Sequence, residues 1–347
     1  LISGSRDLSK MPLGGRGAAG GLTVVTFYTE GPPQDEGLPL ADVAQELKDL
    51  LAQSPDVRLI AYTPQMLKAD RYFQAHCQPD RDAHPASEPG MELLPHAWKL
   101  GYYAWKPLVI CRALSQLRPG DMLLFMDANV QKYGDYREGL LDLPTTCAGL
   151  LEQTDIFVPL EDPVWKRIRN HCKALTLELM GADSYDIAYA PCVCVNRILL
   201  RKSPLTEKLM ADWLRWCGNK MVLGPLPNPR PHPLCLFHTP EQAVLAILLR
   251  KRVLAGDLPC GWPFYSYAPG MRVFRLDAFE EWPLSGPTCL WRRARALFFF
   301  LRHACFSFVY PITDSFWRQF SRVTAGYLLR FAWRGFVMCL MPLPDRC

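Results

Sequence analysis

Residues 101–137 read GYYAWKPLVICRALSQLRPGDMLLFMDANVQKYGDYR, and the order of signals in this stretch decides the fold. Pro107 has the fixed φ and missing N–H that suit a first helical position. Ile110, Ala113, Leu114 and Leu117 then recur at i, i+3, i+4 and i+7, which predicts one buried helix face. Arg118-Pro119-Gly120-Asp121 ends that helix, because Pro cannot continue it and Gly tolerates left-handed φ. Met122-Leu123-Leu124-Phe125-Met126 is an unbroken apolar run, the signature of a strand buried on both faces of a parallel sheet. Asp127-Ala128-Asn129 follows at its carboxyl end, where open α/β sheets bind ligands. A carboxylate there is placed to hold a hard cation and, through it, a diphosphate.

Upstream, Leu22 to Tyr28 is β-branched and aromatic and predicts a first strand; Arg58 to Tyr62 predicts a second. Leu40 to Leu51 lies between them as an amphipathic helix, with Val43, Leu47, Leu50 and Leu51 on one side. Strand–helix–strand alternation implies a parallel sheet with right-handed crossovers. Residues 64–76 suit another helix, and 78–95, rich in Pro, Asp and His, a loop. Downstream, a helical connection is expected within 136–151, and a strand at Asp155–Pro159. Within Pro163–Met180 the pattern predicts a helix burying Ile168, Cys172, Leu175 and Leu179, its Lys166, Arg167, Arg169 and Lys173 facing solvent. Asp186 to Val195 reads as a strand of small residues. Ser203-Pro204 caps and starts a helix whose apolar face is Met210, Trp213, Leu214 and Cys217. Thr239-Pro240-Glu241-Gln242 has the form of a capping box for a last helix.

The totals narrow the classes. A chain of 347 residues, 49% hydrophobic and 21% charged, is globular in composition and can bury a large core. The net charge of +5 is uneven: residues 291–340 carry eight Arg and one Asp, so the first 290 residues come to −2. A mildly acidic core argues against nucleic acid as its partner. The thirteen Cys show no C-x-x-C and no zinc spacing, and read mostly as small buried hydrophobes. Residues 1–20, rich in Gly and Ser, read as a mobile leader and 21–290 as one domain. The basic, aromatic segment 291–347 is either a membrane-surface helix or an appendage packed on the core. Its apolar run is interrupted by Arg302 and His303, short of the roughly 20 residues a bilayer span needs.

Gly101, Tyr102, Trp105, Lys106, Pro107, Gly120, Asp121, Asp127, Ala128, Asn129, Lys132 and Tyr133 together resemble a group of glycosyltransferases of the nucleotide-diphospho-sugar transferase (GT-A) fold. The shared pattern is G-Y-x-x-W-K-P, then G-D, an apolar strand, and D-A-[NG]. The resemblance implies an α/β domain with a mainly parallel, Rossmann-like sheet flanked by helices. It implies transfer of a sugar from a nucleotide-diphospho-sugar to an acceptor hydroxyl of a glycan, protein or lipid, assisted by a divalent cation, manganese or magnesium. It also implies a secretory-pathway (Golgi-like) or membrane-associated setting. Asp127 would be catalytic and a metal ligand. Asn129, standing where the usual Asp-x-Asp motif has its second Asp, would be a neutral metal ligand or a donor contact. Lys106 and Lys132 would add positive charge at the diphosphate, and Thr26, Thr29 and Glu30 would lie beside the nucleoside. Asp183, Asp186 and Tyr189 would approach the sugars. Phe237-His238-Thr239-Pro240-Glu241-Gln242 resembles the group's H-x-x-D-Q segment, with Glu241 in place of Asp. It implies His238 as a metal ligand, Glu241 as a catalytic residue orienting the acceptor hydroxyl, and Gln242 at the donor. Capping alone accounts equally for Thr239, Pro240 and Gln242. Two other classes stay open: a non-catalytic nucleotide or glycan binder of the same fold, and a membrane-associated interaction protein acting through its tail.

Overall fold

The computed structural model describes residues 21–28, 45–77 apart from 46, 50, 53 and 55, 103–128, 143–160 apart from 153, 167–223, and 239–258. Strands β1 (Leu22–Phe27), β2 (Val57–Tyr62), β3 (Met122–Asp127), β4 (Ile156–Phe157) and β5 (Arg197–Arg201) form one sheet in the order β2-β1-β3-β5-β4. β1 pairs parallel with both β2 and β3, whereas β5 pairs antiparallel with both β3 and β4. The class is α/β and the sheet is mixed, where the alternation of elements predicts a mainly parallel one.

The helices follow in chain order. They are α1 (Pro64–Ala69), α2 (Trp105–Ser115), α3 (Leu143–Leu150), α4 (Ala174–Leu179), α5 (Tyr185–Ala188), α6 (Pro204–Cys217), α7 (Lys220–Leu223) and α8 (Pro240–Leu254). Successive strand residues point to opposite faces, and each face of β3 has its own core. Leu123 and Phe125 join Val25, Phe27, Ile198 and Leu200 beneath α2, α6 and α8. Met122, Leu124 and Met126 join Leu22, Val24 and Leu199 against Leu47, Leu51 and α3. The apolar run 122–126 is therefore buried on both sides, as its composition predicts.

The buried face of α2 holds Ile110, Ala113 and Leu114 as the spacing predicts, and Leu117 is buried just past the helix end. Its start differs: the helix begins at Trp105, with Pro107 in the third position. Proline is tolerated there because the first four helical N–H groups have no intrahelical partner. Gly120, at φ 87, makes the left-handed turn into β3. Ser203 caps α6, accepting from Thr206 N at 3.4 Å, ahead of Pro204.

Three expectations are corrected. Residues 168–179 are not one helix: a 3-10 turn at Ile168–Asn170 is followed by α4, so Leu179 is exposed and Leu177 buried. Arg167 and Lys173 are buried, not solvent-facing. The segment 186–195 is not a strand. It holds the end of α5 and two isolated bridges, Arg167 to Pro191 and Leu160 to Val193, and the strand proper is β5. Pro191 has no N–H to give a ladder. Of the described cysteines, Cys77, Cys147, Cys172, Cys192, Cys194 and Cys217 are buried and Cys111 half-buried, all as free thiols. Burial pushes the Cys77, Cys111 and Cys147 thiols up to about 12. These are inert packing groups. No helix among the described residues is long and apolar enough to cross a membrane, and the tail 291–347 lies outside them.

Gly218 closes α6 against a π-helical turn, Phe73–Cys77. A Cβ at 218 would lie 3.0 Å from Tyr72 Oη and 3.4 Å from His76 Cβ. Its φ of −79 is one any residue adopts, so Gly218→Ala would otherwise gain about 0.4–1 kcal/mol through the unfolded chain. We expect Gly218→Ala to be destabilising in the native chain but stabilising once Tyr72→Phe removes the hydroxyl. Urea denaturation of the four proteins in this cycle checks it; the same sign in both backgrounds would refute the close contact.

Candidate functional site

The alternation that builds the core also aims Asp127. It has the parity of Leu123 and Phe125, so its carboxyl group leaves the end of β3 toward α2 and α8. There it meets Lys106, from the first turn of α2, and Lys106 in turn meets Glu241, from the first turn of α8. Lys106 Nζ is 3.2 Å from Asp127 Oδ2, a charge-assisted hydrogen bond, and 3.8 Å from Glu241 Oε1, an ion contact beyond hydrogen-bond range. The Asp127 side chain keeps 20% of its surface exposed against 7% for each of the other two, so it is the member that faces outward.

Aromatic rings line the cluster. Trp105 stacks on Phe27 with centroids 4.0 Å apart, and Phe27 is the register partner of Asp127. Tyr103 lies 6.3 Å from Trp105, and the Lys106 ammonium sits 5.3 Å from the Tyr103 ring centroid and 5.7 Å from that of Trp105. Tyr103 is the one non-glycine residue with positive φ among those described, at 64. For a bulky side chain that conformation costs about 1–3 kcal/mol.

Burial works to strip Lys106 of its proton, but Asp127 and then Glu241 outweigh it and hold its pKa above the ordinary lysine value. Burial raises Glu241 above the usual carboxylate range, with Lys106 pulling the other way. Burial and then the Glu241 charge raise the Tyr103 phenol. α8 is pinned at this end by Trp213 Nε1, which donates to the Glu241 carbonyl at 2.8 Å, and by Gln242, whose amide donates to the Val193 carbonyl.

The topology places this cluster. The chain runs from β1 outward to β2 and then returns to lay β3 on the other side of β1, so the order reverses between β1 and β3. The crevice beyond the carboxyl ends at such a switch point is where open α/β sheets take their ligands. The carboxyl ends here are Phe27 and Asp127. The chain entering β5 closes in beside them, with Asp127 N donating to Asn196 O at 2.9 Å.

Asp127, Lys106 and Glu241 are thus brought together, with Gln242 next to them on α8. Thr26 is fully buried and, with the parity of Val24, points into the opposite core. Asp186 is exposed on α5, its carbonyl accepting from Arg250 Nε at 2.8 Å. Thr29, Glu30, Asn129, Lys132 and His238 lie outside the described residues. The capping box at 239–242 is not made. The Thr239 hydroxyl gives no cap bond and lies 3.3 Å from His171 Nδ1, while its N–H donates to His171 O. Tyr103 and the ammonium between two carboxylates are the features the residue pattern did not disclose.

A divalent cation fits the described residues poorly. No three His, Cys, Asp or Glu side chains converge among them, and one Asp127 oxygen already faces an ammonium. With two carboxylates against one ammonium, the cluster also offers little to a bare diphosphate. It suits hydroxyl donors, or an anion that arrives with its own counter-charge.

No family model, curated protein or solved structure matches this chain.

Proposed function

We propose that the protein binds a nucleotide-diphospho-sugar at the switch point between β1 and β3 and transfers the sugar to an acceptor hydroxyl, on a GT-A-like version of this α/β fold. The observation that carries the reading is the position of Asp127. It is a partly exposed carboxylate at the carboxyl end of a strand buried on both faces, aimed at the side where aromatic rings and a lysine converge. The sequence pattern running from Gly101 to Tyr133 supports it independently.

In this reading Asp127 accepts hydrogen bonds from donor hydroxyls. Lys106 orients Asp127 through their hydrogen bond, and Glu241 holds Lys106 in place. Glu241 is buried behind the lysine, which favours a positioning role over direct contact with an acceptor. Among the described residues no full complement of metal ligands is seen; Asn129 and His238, and Lys132, lie outside them.

A thermal-shift screen of nucleotide sugars, with and without manganese, tests this. A ligand present at 100 times its Kd stabilises by about 2.7 kcal/mol, about 4 °C for a chain of this size. Asp127→Ala should lose that shift and all transfer, and should also melt below the native chain because buried Lys106 loses its closer carboxylate; Asp127→Asn, which keeps an oxygen for Lys106, should lose transfer with a smaller loss of stability. A variant that shifts and turns over as the native protein does would refute the assignment.

The same geometry favours a second reading, a non-catalytic binder, because Lys106 already engages Asp127. Release of nucleoside diphosphate from a bound donor separates the two: a binder shows the thermal shift without release.

A further inference from the structure

Tyr103 combines a left-handed backbone with a ring that is only half-buried, at the edge of the Asp127–Lys106–Glu241 cluster. Glycine or asparagine would adopt φ 64 with less strain. The surroundings account for how the conformation is held. Tyr103 O accepts from Lys106 N at 2.9 Å, tying it to the first turn of α2, and its ring leans on Trp105 and the Lys106 ammonium. They do not account for why a tyrosine stands there, since its ring remains partly open. Beside it, Trp105 is 4% exposed and its Nε1 has no hydrogen-bond partner among the described residues. A buried indole N–H ordinarily finds an acceptor.

We propose that Tyr103 is held in strain to present its ring as the stacking wall for the base of a nucleoside diphosphate, a role that rests on the nucleotide-sugar reading above. The open part of the Tyr103 ring, backed by buried Trp105, offers a flat aromatic face of the kind on which a base stacks. The Lys106 charge on Tyr103 draws electron density from that ring and favours stacking of an electron-rich base against it. Strained residues of this kind gather where a ligand is gripped.

The consequence is a stability and binding trade-off at one residue. In Tyr103→Gly the backbone strain is relieved while the ring is lost. The free variant should melt at or above the temperature of the native chain, yet bind nucleoside diphosphate at least about fivefold more weakly, the loss expected for one base–aromatic stack. Tyr103→Phe keeps the ring and should restore the affinity. The measurement is calorimetric titration of native and variant chains with uridine, guanosine and adenosine diphosphates in manganese, with pyrophosphate as the base-free control. Pyrophosphate affinity should be the same in native and Gly variants. If the native chain binds nucleoside diphosphates and Tyr103→Gly binds them equally well, the stacking role is overturned and the nucleotide reading stands. If Tyr103→Gly loses melting temperature together with affinity for both kinds of ligand, Tyr103 is a packing residue and the proposal is equally overturned. If the native chain binds none of the three, the nucleotide reading itself falls.

Discussion

Lys106→Met is expected to lower the melting temperature by about 5 °C at pH 8 and by distinctly less at pH 5.5. Methionine fills nearly the same volume, so the loss is electrostatic. Removing one partner of a buried ion pair leaves an uncompensated charge and costs about 3–5 kcal/mol, about 4–7 °C in a chain this long. The pH dependence follows from the two shifts. Lys106 is raised above the ordinary lysine value of 10.5, so its contribution is complete below that pH and is lost only as pH climbs through the still higher folded value. Glu241 is raised above the ordinary carboxylate value of 4.5, so its protonated form is favoured by the fold. Stability tied to that proton is full below 4.5 and falls as pH rises through the folded value. Without Lys106, which pulls the Glu241 pKa down, that value moves higher and the penalty at neutral pH grows. The defect should therefore widen between pH 5 and pH 8, and adding Glu241→Gln should recover part of it. A melting curve for Lys106→Met that tracks the native one at every pH would mean the three charges do not form a buried cluster.

Much of what positions this site is legible one element at a time. The i, i+3, i+4 spacing in 110–117 and the apolar run 122–126 are strong local patterns, and both reappear as a buried helix face and a strand buried on both faces. Gly120 and Ser203 act locally, through φ and a cap, and their roles follow from residue type. Asp127 is legible as the polar end of an apolar strand. What cannot be read locally is who meets whom. Lys106 reads as a cation for phosphate because nothing nearby in the chain shows that strand parity turns Asp127 toward α2, or that α8 brings Glu241 from a distant segment. Thr239 satisfies the form of a capping box, yet its hydroxyl lies by His171, a tertiary contact that local spacing does not encode. Strand direction is equally silent. Arg197–Arg201 carries arginine at both ends and is overshadowed by the apolar residues before it, so both its location and its antiparallel sense against β3 come only from the assembled sheet. Buried Arg167 and Lys173 follow the same logic, since charge periodicity predicts a solvated face only where no other element covers it.

Trp213→Ala should cost about 3–5 kcal/mol, the range for deleting a large buried aromatic. Trp213 is fully buried on α6, the helix against which both α2 and α8 pack, so the cavity would open between the two helices that carry Lys106 and Glu241. Its indole N–H also fixes the carbonyl of Glu241 itself. Tryptophan thus serves two ends, volume and a tether, and Trp213→Phe separates them. The phenyl ring keeps most of the packing and loses the donor, which costs about 1 kcal/mol as a hydrogen bond, with a smaller term for the volume difference. Urea denaturation of both variants gives the two magnitudes. Combining Trp213→Phe with Glu241→Gln then asks whether the tether acts on the ion pair: if it does, the two substitutions are non-additive, because the second finds the carboxylate already displaced. Strict additivity would mean that Trp213 holds the helix without holding the charge, and that the position of Glu241 beside Lys106 is maintained by Gln242 and the first turn of α8 alone.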